Sequence, residues 1–363
     1  MRSRFRFPRS LRTALPLGAL LISSPSFGAT PGLTRQTLPG TDIAIYNLVG
    51  TLEVVRGEGS SVVAEVTTSG PDAGQLQVVN GVLRGRQTLR VIYPGDRIVV
   101  PEFGSNSNSN MRVREDGTFG DDRNDGDREE GRYVKLSGRG PGLEARADMR
   151  VLVPAGKKVS IHWGHGKAAL SKIDGKLSLE GASMPVTATG MKGDFRVEVG
   201  SGDVRVSDSD ATVSIETGSG DVALEGVGGG ELGVETGSGE VTGHRLNAQS
   251  LSIETGSGQI EVGGIGADRA KIETGSGEIK VELSRDVDML SLDSGSGDIV
   301  VRVPSNLGAK ISAETASGDI DTDLKMETTR RSRNKISGTV GDGKGSIRIE
   351  TGSGDVTIRT VGR

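Results

Sequence analysis

Two of the chain's three histidines and its only tryptophan fall within four residues: His162, Trp163 and His165, in the phrase HWGHG. Imidazoles three apart beside a turn can share one metal ion. Two ligands make a weak site, however, and the chain has no cysteine and no third histidine nearby to complete it. Trp163 offers another use as a contact for a sugar ring or a partner protein, against the plainer role of a ring covering an apolar edge. A second set of reactive groups is a series of acids that each follow a glycine: Asp203, Asp221, Glu240, Glu278, Asp298, Asp319 and Asp355, with Gln259 interrupting. Stacked about 5 Å apart, neighbouring carboxylates repel by roughly 0.8 kcal/mol per pair even in full water screening. Hydrogen bonds from turn N–H groups would offset that repulsion. So would a hard cation such as Ca2+, for which Asp221 and Glu240 are the candidate ligands.

Other chemistry is poorly supported. The acidic units do not follow the nine-residue GGxGxDxUx pattern of calcium-binding β-rolls. The acidic run DDRNDGDREE (121–130) misses the EF-hand register, because the fifth ligand place counted from Asp122 is Gly126. GDGKGS (341–346) lacks the ending of a phosphate-binding loop and leads into a strand pattern, not a helix. Serines are abundant, but His244 sits in a variable loop and no nucleophilic triad is legible. The expectation is therefore no catalytic residue and no cofactor, with Ca2+ at the ladder as the alternative.

The spacing of the acids points to what positions them. An acidic marker recurs at Glu198, Glu216, Glu235, Glu254, Glu273, Asp293, Glu314 and Glu350, in steps of 18–21 residues except for a final step of 36. Glu180 and His162 extend the series backward. The residue before each marker is almost always aliphatic, as are the residues two earlier and six later, so apolar and polar positions alternate with a period of two. A glycine corner, spelled TGSG in its commonest form, interrupts each alternation. Each unit thus reads as a strand, a corner, a second strand and a loop. One such unit cannot bury its apolar face alone, but stacked units can. The sequence predicts an all-β, single-chain parallel β-solenoid (β-helix) of about ten coils of 18–21 residues. Strand twist favours right-handed winding. The long step, TTRRSRNKISGTVGDGKG, reads as a divergent coil plus a loop. DMRVLVPAG (148–156) mirrors DIVVRVPSN (298–306) and reads as one more rung just before the series.

The ETGSGDV and ETGSGEI phrases, the head IAIYNLVGTLEVVRGEGSSVVAEV and the tail GDGKGSIRIETGSGDVTIRT resemble the bacterial β-strand-repeat proteins called putative adhesins, a domain of unknown function. The resemblance covers most of residues 40–363 apart from an insertion. It implies a solenoid in or beyond the cell envelope and brings no catalytic residues.

Residues 1–28 read as a signal peptide: five arginines and no acid, an apolar stretch too short to span a bilayer, then small residues with Ser26 and Gly28 placed for cleavage. Without those arginines, 39 basic and 48 acidic side chains remain, a net charge of −9. That balance argues against nucleic acid as a partner and against attraction to an anionic membrane surface. The chain is expected to be periplasmic, extracellular or on the cell surface, with no integral membrane segment after cleavage and an unknown envelope protein or glycan as partner. Residues 29–142 read as an N-terminal β region that caps or starts the solenoid, with a disordered charged loop at about 102–142; residues 143–363 read as the repeat solenoid. The functional expectation is a non-catalytic, adhesin-like binding or scaffold protein presenting a repetitive acidic face. The alternatives are a polysaccharide lyase or hydrolase on a parallel β-helix, and a structural component of an envelope-stress or assembly system.

Overall fold

Period-two alternation with β-branched residues on one face should give strands, and it does. The computed structural model describes residues 32–101, 108–120 and 131–361, and among them helical geometry is confined to the 3-10 turn Ala73–Gln75 and Pro101. The expected signal peptide lies outside the described residues. Successive repeat strands pair in parallel with matched register. Ile215 aligns with Val234, Val234 with Ile253 and Ile253 with Ile272, and each marker acid aligns with the next. The strands after the corner stack likewise, from Val204 through Val222, Val241 and Ile260 to Ile279. Equivalent aliphatic side chains therefore form columns, and one hydrophobic core runs through the stack with most members under 5% exposed. Truncating such a residue to alanine typically costs about 2–5 kcal/mol.

Glycine at the corners is required by proximity. A Cβ on Gly237, Gly256 or Gly275 would lie 2.4–2.6 Å from the carbonyl oxygen of the first corner glycine on the neighbouring rung. At the second corner glycine the approach is tighter still, 2.0 Å for Gly239 and 1.8 Å for Gly258. These residues do not have positive φ, so what excludes other side chains is the backbone of the rung below.

The rung order departs from chain order at both ends. The strand Asp42–Arg56 lies between Lys157–Ser171 on one side and Arg86–Ile92 and Arg146–Val153 on the other, all in parallel. The expected rung at 148–156 therefore exists, but it is separated from the marker series by this N-terminal strand. At the far end Asp293 aligns with Glu350 and Glu350 with Glu314, so the last coil is inserted before the one that precedes it in sequence. The 36-residue step holds no divergent coil. It is a hairpin of Glu327–Arg331 and Lys335–Val340, whose second strand runs antiparallel along Ala309–Thr315. Gly341 and Gly343, at φ 60° and 66°, then turn the chain back into the gap. At the N-terminal end, Gln77–Leu83 and Val62–Ser69 pair antiparallel with the outer rung strands, and Leu33–Leu38 with Val62–Ser69.

The segment read as a disordered charged loop is partly built. Arg97–Val99, Asn108–Val113 and Arg132–Ser137 form a small three-stranded sheet. Val113, Phe119, Val134 and Leu136 are buried beneath it. The charged average of the segment conceals these few apolar residues. The acidic run 121–130 lies outside the described residues.

Gly258→Ala should lower stability by on the order of 3 kcal/mol, since neither backbone can yield without breaking the rung. Gly233→Ala, whose Cβ would meet nothing closer than 3.9 Å, should change it by less than about 0.5 kcal/mol. Denaturant melts of the two variants check the contrast.

Candidate binding surface: an acidic column along the stack

Each corner separates three columns with different duties. Inside the corner, Thr236, Thr255, Thr274, Ser294, Thr351 and Thr315 are buried at the same register. Their hydroxyls donate to the second corner glycine's carbonyl on the neighbouring rung, at distances from 3.4 Å (Thr236 to Gly220) to 2.8 Å (Thr315 to Gly354). This hydroxyl ladder is buried, and it satisfies backbone acceptors that the sharp corner leaves without sheet partners.

Just beyond the corner stands the Asp/Glu ladder. Asp221 Oδ1 accepts the backbone N–H of Glu240 at 2.9 Å, and the N–H of Asp221 points to Asp203 Oδ1 at 3.2 Å. The pattern returns at the far end, where Asp298 accepts from Asp355 N–H and Asp355 from Asp319 N–H, each at 2.8 Å. These carboxylates bind the rung above, so turn N–H groups are what offsets their mutual repulsion. Asp221 and Glu240 belong to this ladder, whereas His162 belongs to the column before the corner, so the candidate ligands do not form one set. Among the described residues no group of three or more His, Cys, Asp or Glu has metal-binding geometry.

The column before the corner is covered at Tyr46 and faces solvent from Glu180 onward. It runs Tyr46, His162, Glu180, Glu198, Glu216, Glu235, Glu254, Glu273, Asp293, Glu350, Glu314. Cations two positions earlier on the same face interrupt it: Arg196 lies 3.1 Å from Glu198 and 3.7 Å from Glu216, and Lys271 lies 2.8 Å from Glu273. At the far end Lys335 pairs with Glu314 and holds that carboxyl below its usual range. Ser214, Gly233 and Ser252 replace the cation in the middle, and among the described residues Glu235 and Glu254 have no ion-pair partner. Burial, then the charges of Glu273 and Glu350, push the Asp293 carboxyl up.

A groove of about 850 Å³ follows Glu180, Glu198, Glu216, Glu235 and Glu254 and is floored by corner glycines. Its end wall is Met111, Arg112, Phe119 and Gly120 from the inserted sheet. There His162 Nδ1 lies 2.9 Å from Glu180 Oε2. The imidazole stacks on Tyr46 at 4.5 Å between centroids, and the Phe119 edge approaches both rings. Trp163 is not a surface contact. It is fully buried, its indole N–H donating to the Gly50 carbonyl at 2.9 Å, because its register position points into the stack where threonine stands on later rungs.

Two features escaped the sequence reading. Tyr46 and Phe119 form the ring cluster around His162; aligning IAIYNLVG with VSIHWGHG would have placed Tyr46 beside His162, but nothing marks Phe119. At the register of Trp163, buried Asn47 donates to the carbonyls of Val49 and Ala147, and Tyr93 Oη lies 2.8 Å from Asn47 Oδ1. Burial pushes the Tyr93 phenol up, so it stays neutral.

Asp293→Asn should raise the melting temperature at pH 7. A carboxyl whose folded pKa is raised opposes folding once pH exceeds that pKa and does not below its unfolded pKa. The gain should therefore shrink as pH falls through the range where the carboxyl takes up its proton. Thermal melts of parent and variant from pH 7 down to about pH 3 read it.

No curated protein matches the chain. Among solved structures, a putative cell adhesion protein from Clostridium sporogenes is 14% identical, covering 91% of this chain and 100% of that one, with a TM-score of 0.21. The family model Toastrack DUF4097 matches residues 127–359, well over half of the sequence. The chain therefore belongs to the Toastrack DUF4097 family.

Proposed function

We propose that this chain is a non-catalytic, extracytoplasmic β-solenoid that binds or scaffolds an envelope partner through its acidic column. The observation that carries the reading is the run of carboxylates along one groove, with Glu235 and Glu254, toward the end away from the inserted sheet, without ion-pair partners among the described residues. A repeated charge at rung spacing suits an extended or repetitive cationic surface, on a protein or a glycan, better than a compact small molecule. The solenoid is read as right-handed, with about ten coils of 18–21 residues. Export rests on the signal-like residues 1–28, and no helix among the described residues is long and apolar enough to cross a membrane.

Catalysis finds little purchase on this face. A polysaccharide lyase or hydrolase needs an irregular cluster of acid, base and cation, whereas these rungs repeat one outward pattern and place one histidine at the groove's end, paired with Glu180. The test is capture from envelope extract on immobilised protein, comparing the parent with the Glu216→Gln, Glu235→Gln, Glu254→Gln variant. The parent should retain a partner that elutes as salt rises and that the triple variant loses. Equal retention by both, or release of reducing or unsaturated sugars from envelope polysaccharide, would overturn the reading.

A further inference from the structure

The chain is acidic overall, but one segment reverses the sign. Residues 324–340 hold five cations, Lys325, Arg330, Arg331, Arg333 and Lys335, against one acid, Glu327. They form the hairpin of Glu327–Arg331 and Lys335–Val340 that closes the far end of the stack. Its tip is tied down. The Thr315 N–H donates to the Asn334 carbonyl at 3.0 Å, and the Ile320 N–H to the Arg333 carbonyl at 3.3 Å. Arg333 pairs with Asp319 at 2.5 Å and Lys335 pairs with Glu314, the last members of the two acidic columns. Lys325, Arg330 and Arg331 have no ion-pair partner among the described residues. Every residue from 327 to 334 is exposed.

The strand Glu327–Arg331 pairs with Lys335–Val340 on its inner side and is the outermost strand at this end. Arg330 aligns with Ser337 and Arg331 with Ile336. Adjacent strand residues point to opposite faces, so the two guanidinium groups flank a ridge. A linear polyanion follows one face or a groove. A ridge charged on both flanks suits a plane of charge instead. Guanidinium forks match phosphate oxygens two at a time, and a bilayer of anionic phospholipid presents a plane of phosphates. The rest of the stack sets the approach. Residues 198–298 carry twenty acids against six cations, so such a bilayer repels the flank of the middle coils and favours contact by an end.

We propose that this hairpin ridge docks the chain, end-on and reversibly, on a bilayer surface of anionic phospholipid. Each basic residue brought to such a surface strengthens partition about five-fold, so three uncompensated cations give on the order of a hundred-fold. That is too little for stable anchoring without a second contact. It suffices to orient the chain, with the acidic groove standing clear of the headgroups. The inference uses a different surface from the acidic-column reading, and its failure leaves that reading untouched.

The chain recovered after export should co-sediment with mixed phosphatidylglycerol–phosphatidylcholine vesicles at low salt, remain in solution with pure phosphatidylcholine, and leave the mixed vesicles as salt rises. A Lys325→Ser, Arg330→Ser, Arg331→Ser variant should lose on the order of a hundred-fold in partition, with unchanged thermal melting because none of the three is paired. The chain has no cysteine, so a single thiol can be placed at either end. A polarity-sensitive dye on Thr328→Cys, in the ridge, should shift to shorter wavelength on the anionic vesicles. The same dye on Val82→Cys, at the opposite end of the stack and 70% exposed, should not. No binding to anionic vesicles, equal binding by the triple variant, a shift at Val82→Cys, or binding to dextran sulfate in place of the vesicles would each overturn the proposal.

Discussion

The stack depends on how closely one corner can lie on the next. Carbonyl oxygens of one rung occupy the space that a side chain would need on the corner glycines of its neighbour, with approaches down to 1.8 Å from the would-be Cβ. That closeness brings the corner hydroxyls from Thr236 onward within reach of the neighbouring glycine carbonyl. It also brings the carboxylates of Asp203, Asp221, Asp298 and Asp355 onto a neighbouring rung's N–H. A corner one methyl wider would separate donor from acceptor along the whole length. The recurring spelling TGSG is thus three constraints at once: a buried donor and two places where backbone must touch backbone.

Stacking like on like has an electrostatic cost, and the two acidic columns meet it differently. The ladder after the corner places a backbone N–H on its carboxylates, so its charges are spent holding the rungs together. The column before the corner has no such donors. It relies on scattered cations, Arg196, Lys271 and Arg348, and on Lys335 at its far end, while at its near end His162 faces Glu180. Where the flanking residue shrinks to Gly233 or Ser252 the relief stops, and Glu235 and Glu254, without ion-pair partners among the described residues, line the groove. A fold selected for stability alone has no reason to leave its charges barest where the surface is concave.

The register was legible because each rung repeats the same alternation: the aliphatic residues flanking Glu216, Glu235, Glu254 and Glu273 align in space as their spacing requires. The order of rungs was not. Strands 309–315 and 345–351 carry equivalent patterns, so either fits beside Asp293, and the choice is made by the hairpin at 327–340 and the turn at Gly341–Gly343. Likewise nothing in HWGHG distinguishes a ring that faces out from one that replaces an inward threonine, until the register of Trp163 with Asn47 is known. The inserted sheet was hidden by its neighbours' charge: Val113, Phe119, Val134 and Leu136 are too few to shift a window average, yet they suffice to seat one wall of the groove.

The interleaved order also changes what holds the ends. In an array where each rung touches only its neighbours, the terminal rungs fray first. Here the rung formed last in the chain, Gly345–Thr351, has a strand on both sides, and so does Asp42–Arg56 near the start. The exchange requires pairing across 57 residues, as between Asp298 and Asp355, where the repeat period is 19. Closing a loop three times longer costs about 1 kcal/mol more. In return Ile347, Ile349 and Val356 are buried from both faces, and each buried aliphatic side chain contributes about 1.5–3 kcal/mol. Burial exceeds the added entropy several-fold, so the ends are held by insertion, and what remains exposed there is the antiparallel edges and the short parallel strand Ile320–Thr322.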